Sequence, residues 1–143
     1  TTEIYTLSLH DALPIFVYHD PCELGRGSGM FEQPREALRA TGKIIPIKNE
    51  KLKAHCCGGS LGNLKISQQE RAILRDQAVN DFLQYQPDVL ATACPMCKKT
   101  FARDRRIKVM DIAEIVVSSI PKPNLNESEK DLVLEEYLEE EWA

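Results

Sequence analysis

The 143-residue chain contains no run of about 18 apolar residues, so no membrane-spanning helix is expected from it. Its first residues lack a basic segment followed by a long apolar stretch, so no secretory leader is expected. Aromatic residues make up only 6% of the chain, yet hydrophobic content is 43% and charged content 28%, which still suits one domain with a core. The net charge of −4 gives no basic excess, and no nucleic-acid partner is expected. Cysteine is scarce too, at five residues. An odd count with two of them adjacent argues against a secreted disulfide framework and for a reducing cytoplasm, leaving peripheral membrane association open.

Those five cysteines are nonetheless what the chain is arranged around. Cys56 and Cys57 are adjacent and run straight into Gly58 and Gly59. Cys22 precedes the pair by 33 residues, Cys94 follows it by 36, and Cys97 completes a C-x-x-C. Thiolates are soft ligands that suit iron–sulfur clusters or zinc. Adjacent cysteines do not readily face one ion but can hold two corners of a larger cluster, so one iron–sulfur site using all five is the reading of choice. Zinc bound by four of the five, in a zinc-stabilised interaction module without a redox role, is the alternative, and it leaves one cysteine without a role. A redox pair at Cys94 and Cys97 would ignore the other three. Glycines beside the pair let backbone N–H groups approach anionic sulfur, and Pro95 suits the first turn of a helix opening at Cys94.

Along the chain, Phe16–His19 reads as a strand that delivers Cys22. The run Gly25-Arg26-Gly27-Ser28-Gly29 lacks the last spacing of a dinucleotide loop and the lysine of a P-loop, and is expected to cover the cysteine site instead. A short helix is expected from Gln33 to Ala40, a strand from Lys43 to Ile47 whose Pro46 suggests an edge, and a long helix from Lys65 to Tyr85. Ser67 and Glu70 form a capping box, placing the start of that helix near Ser67. Asp88–Ala93 reads as a buried strand, followed by a helix from Cys94 to about Arg103. Ile107–Met110 reads as a further strand, and Asp111 as the N-cap of a helix ending at Ser119. Alternating strands and helices predict an α/β domain with a small parallel sheet of about four strands flanked by helices. Cys22 and Cys94 would then lie past strand ends, at the C-terminal strand edge where ligands of such sheets gather.

Two stretches fall outside that domain, which is expected to span residues 16–120. Residues 1–15, TTEIYTLSLHDALPI, match the codon-by-codon translation of a common short-read sequencing adapter and are expected to be an artefact joined to a gene fragment; the alternative is an edge strand over Glu3–Leu9. Residues 121–143 form an acidic tail, eight acids against two lysines, so the rest of the chain carries +2. The tail reads either as a solvated helix or as a segment that docks on a partner or on the chain's own basic surface. That surface includes Lys98, Lys99, Arg103, Arg105 and Arg106, which offset cluster charge, attract an acidic partner or form a solvated face.

The cysteine pattern, together with Tyr18-His19-Asp20-Pro21-Cys22, Leu24-Gly25-Arg26, Pro34-Arg35-Glu36, Asp88-Val89-Leu90-Ala91-Thr92-Ala93-Cys94-Pro95 and Val109-Met110-Asp111-Ile112-Ala113, resembles the cysteine-rich CCG domain. That domain occurs in heterodisulfide reductase B- and D-type subunits and in iron–sulfur subunits of hydroxy-acid and glycerol-3-phosphate oxidoreductases. The resemblance implies a 4Fe–4S cluster, either a cubane on four cysteines or a noncubane form on all of Cys22, Cys56, Cys57, Cys94 and Cys97, with the noncubane form preferred. It implies electron transfer with a flavoprotein or ferredoxin-type partner subunit, from a domain that sits at the end of a longer chain. His19 and His55 flank ligand positions and could hydrogen-bond a cluster sulfur or simply the backbone.

Overall fold

A computed structural model describes residues 13–60 and 65–121. The acidic tail and nearly all of the adapter-like stretch lie outside the described residues.

Four strands form one parallel sheet: β1 (Ile15–His19), β2 (Lys43–Ile44), β3 (Val89–Thr92) and β4 (Val109–Asp111), in the order β2-β1-β3-β4. Among the described residues four α-helices connect and cover them: α1 (Glu32–Arg39), α2 (Gln68–Leu83), α3 (Pro95–Phe101) and α4 (Ile112–Ser119). The α/β class and the strand count agree with the expectation from sequence. Among the described residues no helix is long and apolar enough to cross a membrane.

Both faces of the sheet are buried, as a parallel sheet requires. Alternation along β1 sends Phe16 and Tyr18 to one face and Val17 to the other. Along β3, Val89 and Ala91 alternate with Leu90 in the same way. The first set packs with Leu38 of α1 and Ile115 of α4. The second packs with Ala78, Val79 and Phe82 of α2 and with Cys97 and Phe101 of α3. Burial of these side chains contributes the bulk of the stabilisation, roughly 1.5–3 kcal/mol for each large apolar one.

Local chemistry sets most element ends. Ser67 caps α2: its hydroxyl accepts from Glu70 N at 3.2 Å while Glu70 Oε2 accepts from Ser67 N at 2.7 Å. Asp111 and Glu114 make the same reciprocal arrangement at the start of α4. Pro95 occupies the first turn of α3 behind Cys94, where no backbone N–H is needed.

Several boundaries differ from the sequence reading. The strand expected over Lys43–Ile47 pairs only at Lys43–Ile44. It is an edge strand, and Pro46 has no N–H to extend the ladder. β1 begins at Ile15, the last residue of the adapter-like stretch, whose N–H donates to Asp88 Oδ2 at 2.8 Å. Helix α3 stops at Phe101 rather than near Arg103, and β4 is displaced to Val109–Asp111. The glycine-containing run after Cys22 is a wide helical turn over Glu23–Gly27, in which Gly27 N donates to Cys22 O at 2.9 Å, five residues back.

Candidate metal centre

Strand order reverses beside β1: β2 lies on one side of it and β3 on the other. At such a switch point the loops leaving neighbouring strands diverge and open a crevice at the C-terminal strand ends. Cys22 lies just past β1 and Cys94 just past β3. Both line one cavity of about 280 Å3, bounded by Pro21–Leu24 on one side and Ala93–Pro95 on the other. Its lining is largely apolar. Cys22 and Cys94 are both partly exposed there.

The adjacent cysteines arrive by a different route, on the loop between a short turn at Lys51–Lys53 and α2. Their sulfurs part: Cys57 is buried, whereas Cys56 is half-buried. Each sulfur is met by the amide two residues on, Gly58 N donating to Cys56 Sγ at 3.4 Å and Gly59 N to Cys57 Sγ at 3.3 Å. Glycine is required at both donors. Gly58 has φ +78°, and a Cβ on it would stand 3.0 Å from the Arg71 carbonyl of α2. A Cβ on Gly59 would collide with Thr100 and Met96 of α3. The double glycine therefore lets the loop lie in the groove between both helices.

That seating brings Cys57 Sγ to 3.4 Å from Cys97 Sγ, with Cys97 donating. Both thiols are buried in the core under Phe101 and Phe82. The hydrogen bond from Cys97 is the main reason that the Cys57 thiol is pushed down to about 6; the Gly59 amide adds to it against the cost of burial. The Cys97 thiol is raised for the same reason, since it holds the shared proton, and burial and the nearby Cys57 and Cys94 act in the same direction. None of the five cysteines forms a disulfide. Among the described residues no three His, Cys, Asp or Glu side chains converge on one point, as a single zinc ion would require.

Two polar ties hold the three cysteine-bearing segments in register. His19, at the end of β1, donates from Nε2 to the His55 carbonyl at 3.0 Å, directly before Cys56. Its Nδ1 lies 3.4 Å from Thr92 Oγ1 of β3. Its ring packs edge-on against Phe101 at 4.8 Å and Phe82 at 6.1 Å. Burial lowers its pKa to about 4, only partly offset by the bond to His55, so the imidazole is neutral near pH 7. Of the two roles considered for His19, the backbone bond is the one formed. From the turn after Cys22, Arg26 Nη1 donates to the Ala54 carbonyl at 2.9 Å. His55 itself points outward, toward Asn49 Nδ2 at 3.0 Å and Asp81 Oδ2 at 3.3 Å.

Sequence reasoning missed the network beneath Cys22. Asp20 takes a two-pronged ion pair from Arg35, at 2.6 and 2.8 Å, and both residues are almost fully buried. Asp20 Oδ2 also accepts from Lys51 N at 2.7 Å, and Arg35 reaches Glu50 at 3.1 Å and the Phe31 carbonyl at 2.7 Å. The guanidinium lies 5.0 Å over the Tyr18 ring. This network fixes the two residues before Cys22 against α1 and against the loop leading to Cys56. Both residues stand in strings that carry the family resemblance, Tyr18-His19-Asp20-Pro21-Cys22 and Pro34-Arg35-Glu36, but nothing in those strings says that they pair.

The basic run after Cys97 divides. Lys98 pairs with Glu114, and Arg106 with Asp104 at 2.6 Å. Lys99 and Arg103 instead face a cavity between α2 and α3.

Comparison with known proteins agrees with this arrangement. The chain is 34% identical over 116 residues to the EtfAB:quinone oxidoreductase of Syntrophomonas wolfei, covering 69% of this chain and 16% of that protein. It is 34% identical over 111 residues to the D-type subunit of the dihydromethanophenazine:CoB–CoM heterodisulfide reductase of Methanosarcina barkeri, covering 72% of this chain and 27% of that protein. It is 24% identical over 131 residues to the probable iron–sulfur-binding oxidoreductase FadF of Bacillus subtilis, covering 85% of this chain and 18% of that protein. The chain thus spans less than a third of the length of each of these relatives. The cysteine-rich domain pattern CCG matches residues 16–102, which carry every cysteine and both ties between their loops; the chain belongs to the CCG family of cysteine-rich domains.

Proposed function

We propose that Cys22, Cys56, Cys57, Cys94 and Cys97 together hold one 4Fe–4S cluster, in the noncubane form that uses all five, and that the chain is the electron-transfer domain of a larger oxidoreductase. The observation that carries this reading is the Cys56–Gly59 loop. Two adjacent sulfurs each take a glycine amide, and one of them is seated 3.4 Å from Cys97. Such a donor set, with two adjacent thiols and three more from other segments, fits a group that offers several metal corners better than one ion.

A cluster bound there would supply one-electron redox chemistry. The rest follows from the chain's own residues. Amides on Cys56 and Cys57 stabilise negative charge on sulfur, which favours the reduced state of whatever the sulfurs bind. The hydrogen bonds from Cys97 and the Gly59 amide hold the Cys57 thiol below its usual range and so favour the thiolate, the form that binds metal. Phe101 and Phe82 keep water from the Cys57–Cys97 side, while the cavity at Cys22 and Cys94 leaves the other side accessible.

The relatives named as a heterodisulfide reductase subunit and as a quinone oxidoreductase support a place in a multi-component redox system. The partner we propose is a flavoprotein or a ferredoxin-type subunit. The net reaction is then disulfide reduction, in the manner of a heterodisulfide reductase, or oxidation of a 2-hydroxy acid. The chain is proposed to be part of a longer protein working in the cytoplasm, with peripheral membrane association open to it.

Anaerobic purification of the chain followed by iron, sulfide and zinc analysis and EPR tests this. Brown protein with stoichiometric iron and sulfide and a reducible EPR signal is the expected result. Colourless protein with one zinc per chain would overturn it. Substituting Cys22 by serine separates the two cluster forms: an unchanged spectrum would favour a cubane held by the remaining four.

A further inference from the structure

One built feature is left unused by the cysteine site. Between α2 and α3 lies a cavity of about 160 Å3, room for about five waters at ~30 Å3 each. Gly58 and Gly59 form part of its wall. The rest of the wall carries four cations: Arg71 and Arg75, one turn apart on α2, and Lys99 and Arg103, spaced in the same way along α3 and the turn after it. Like charges at that spacing repel along a helix, and here two such pairs also border one small space.

Only one of the four is neutralised locally. Arg75 is held by the neighbouring Asp76, at 2.6 Å from Nη2 and 2.7 Å from Nε. Arg71, Lys99 and Arg103 take part in no ion pair among the described residues. Arg71 Nε is buried without a hydrogen-bond partner among the described residues. The contrast with Lys98 and Arg106 is informative, because those members of the same basic run point elsewhere and do have carboxylate partners. Three of the four cations that border the cavity thus have no acid partner among the described residues.

We infer that this cavity binds the phosphoryl group of a small anionic molecule. A planar carboxylate is satisfied by a single guanidinium fork. A phosphate monoester carries a charge of about −1.5 to −2 and directs three oxygens apart, which matches donors arriving from two helices and a wall charge of three unpaired cations. The site uses none of the five cysteines and is independent of the metal reading. It borders the cysteine site along Gly58, Gly59, Met96 and Thr100, with the loop carrying Cys56 and Cys57 lying between the two.

Titration calorimetry on the whole 143-residue chain, purified anaerobically with whatever metal it carries, tests the inference with inorganic phosphate and with acetate at matched ionic strength. Phosphate is expected to bind once per chain, and acetate about tenfold more weakly or less. Lys99→Gln and Arg71→Gln should each weaken phosphate by about tenfold, while Lys99→Arg retains it. Lys99 is exposed, so its substitution tests the site even if Arg71→Gln fails to fold. Arg105→Gln, outside the cavity, should leave binding unchanged. Absence of phosphate binding, equal binding of acetate, or an equal loss in Arg105→Gln would each overturn the assignment, the last by showing diffuse surface charge rather than a site.

Discussion

The two faces of the sheet are built from the same strands and do different things. Under α1 and α4, Phe16, Tyr18, Leu38, Val89, Ala91 and Ile115 make an ordinary apolar core. Under α2 and α3 the core includes two thiols, and a neutral imidazole packs against its aromatic rings. Because side chains alternate along a strand, consecutive residues of β1 serve opposite ends: Tyr18 lies under the Arg35 guanidinium, and His19 ties down the cysteine loop. A parallel sheet buried on both sides can therefore give one face to stability and the other to chemistry without lengthening the chain.

The largest expected effect comes from exchanging a side chain on each face. Cys57→Ser should strip the protein of most of its iron and sulfide. Leu38→Ala, fully buried on the opposite face, should cost about 2–5 kcal/mol in denaturant unfolding while iron per folded chain stays the same. Iron lost from the leucine variant and kept in the serine variant would erase the distinction between faces.

A second experiment addresses the network that joins the apolar face to Cys22. Asp20→Ala leaves the Arg35 charge buried and should destabilise by roughly 3–5 kcal/mol. Arg35→Met in the same background should recover part of that loss, since it removes the stranded charge. Purely additive losses in the double variant would show that the pair does not act as a unit.

Acidity probes the other face. His19 takes its proton near pH 6.5 in the unfolded chain but only at about pH 4 in the fold, because burial disfavours the charged ring. Between those values the unfolded state binds more protons, so stability is fully present above pH 6.5 and falls as pH drops toward 4. The total is about 3 kcal/mol. Urea unfolding at several pH values should show this slope, and His19→Gln should flatten it; the same slope in the variant would assign it to other groups.

Helix caps should be indifferent to the face. Ser67→Ala on α2 and Asp111→Ala on α4 each remove one side-chain acceptor from a reciprocal cap and should cost about 1 kcal/mol apiece by thermal unfolding. A much larger loss at Ser67 would mean that the cysteine face depends on α2 beyond its packing.

Much of this was legible in the residues. The Ser67–Glu70 box, the Asp111 cap, the apolar run at Val89–Thr92 and the proline after Cys94 are local signals, decided within a few bonds of the residue concerned. Cysteine spacing singled out the candidate ligands and carried the family resemblance, because soft thiols at fixed intervals have few other uses. Less visible were features that need two distant segments. Asp20 and Arg35 each stand in a string that carries the resemblance, yet their pairing shows only once α1 folds over β1. The basic run after Cys97 reads as one patch, yet the structure gives Lys98 and Arg106 to carboxylates and turns Lys99 and Arg103 toward Arg71 and Arg75.

By itself, then, the sequence determined the α/β alternation, the element caps and the set of five thiols, because hydrophobic period, capping chemistry and ligand type are properties of short stretches. Tertiary structure alone decided that Cys57 lies against Cys97, that His19 spends its Nε2 on the His55 carbonyl rather than on a sulfur, and which cations lack acids. These are outcomes of strand order and of how closely two helices admit a glycine loop. Such contacts depend on distances between segments 36 residues or more apart, which no local pattern encodes.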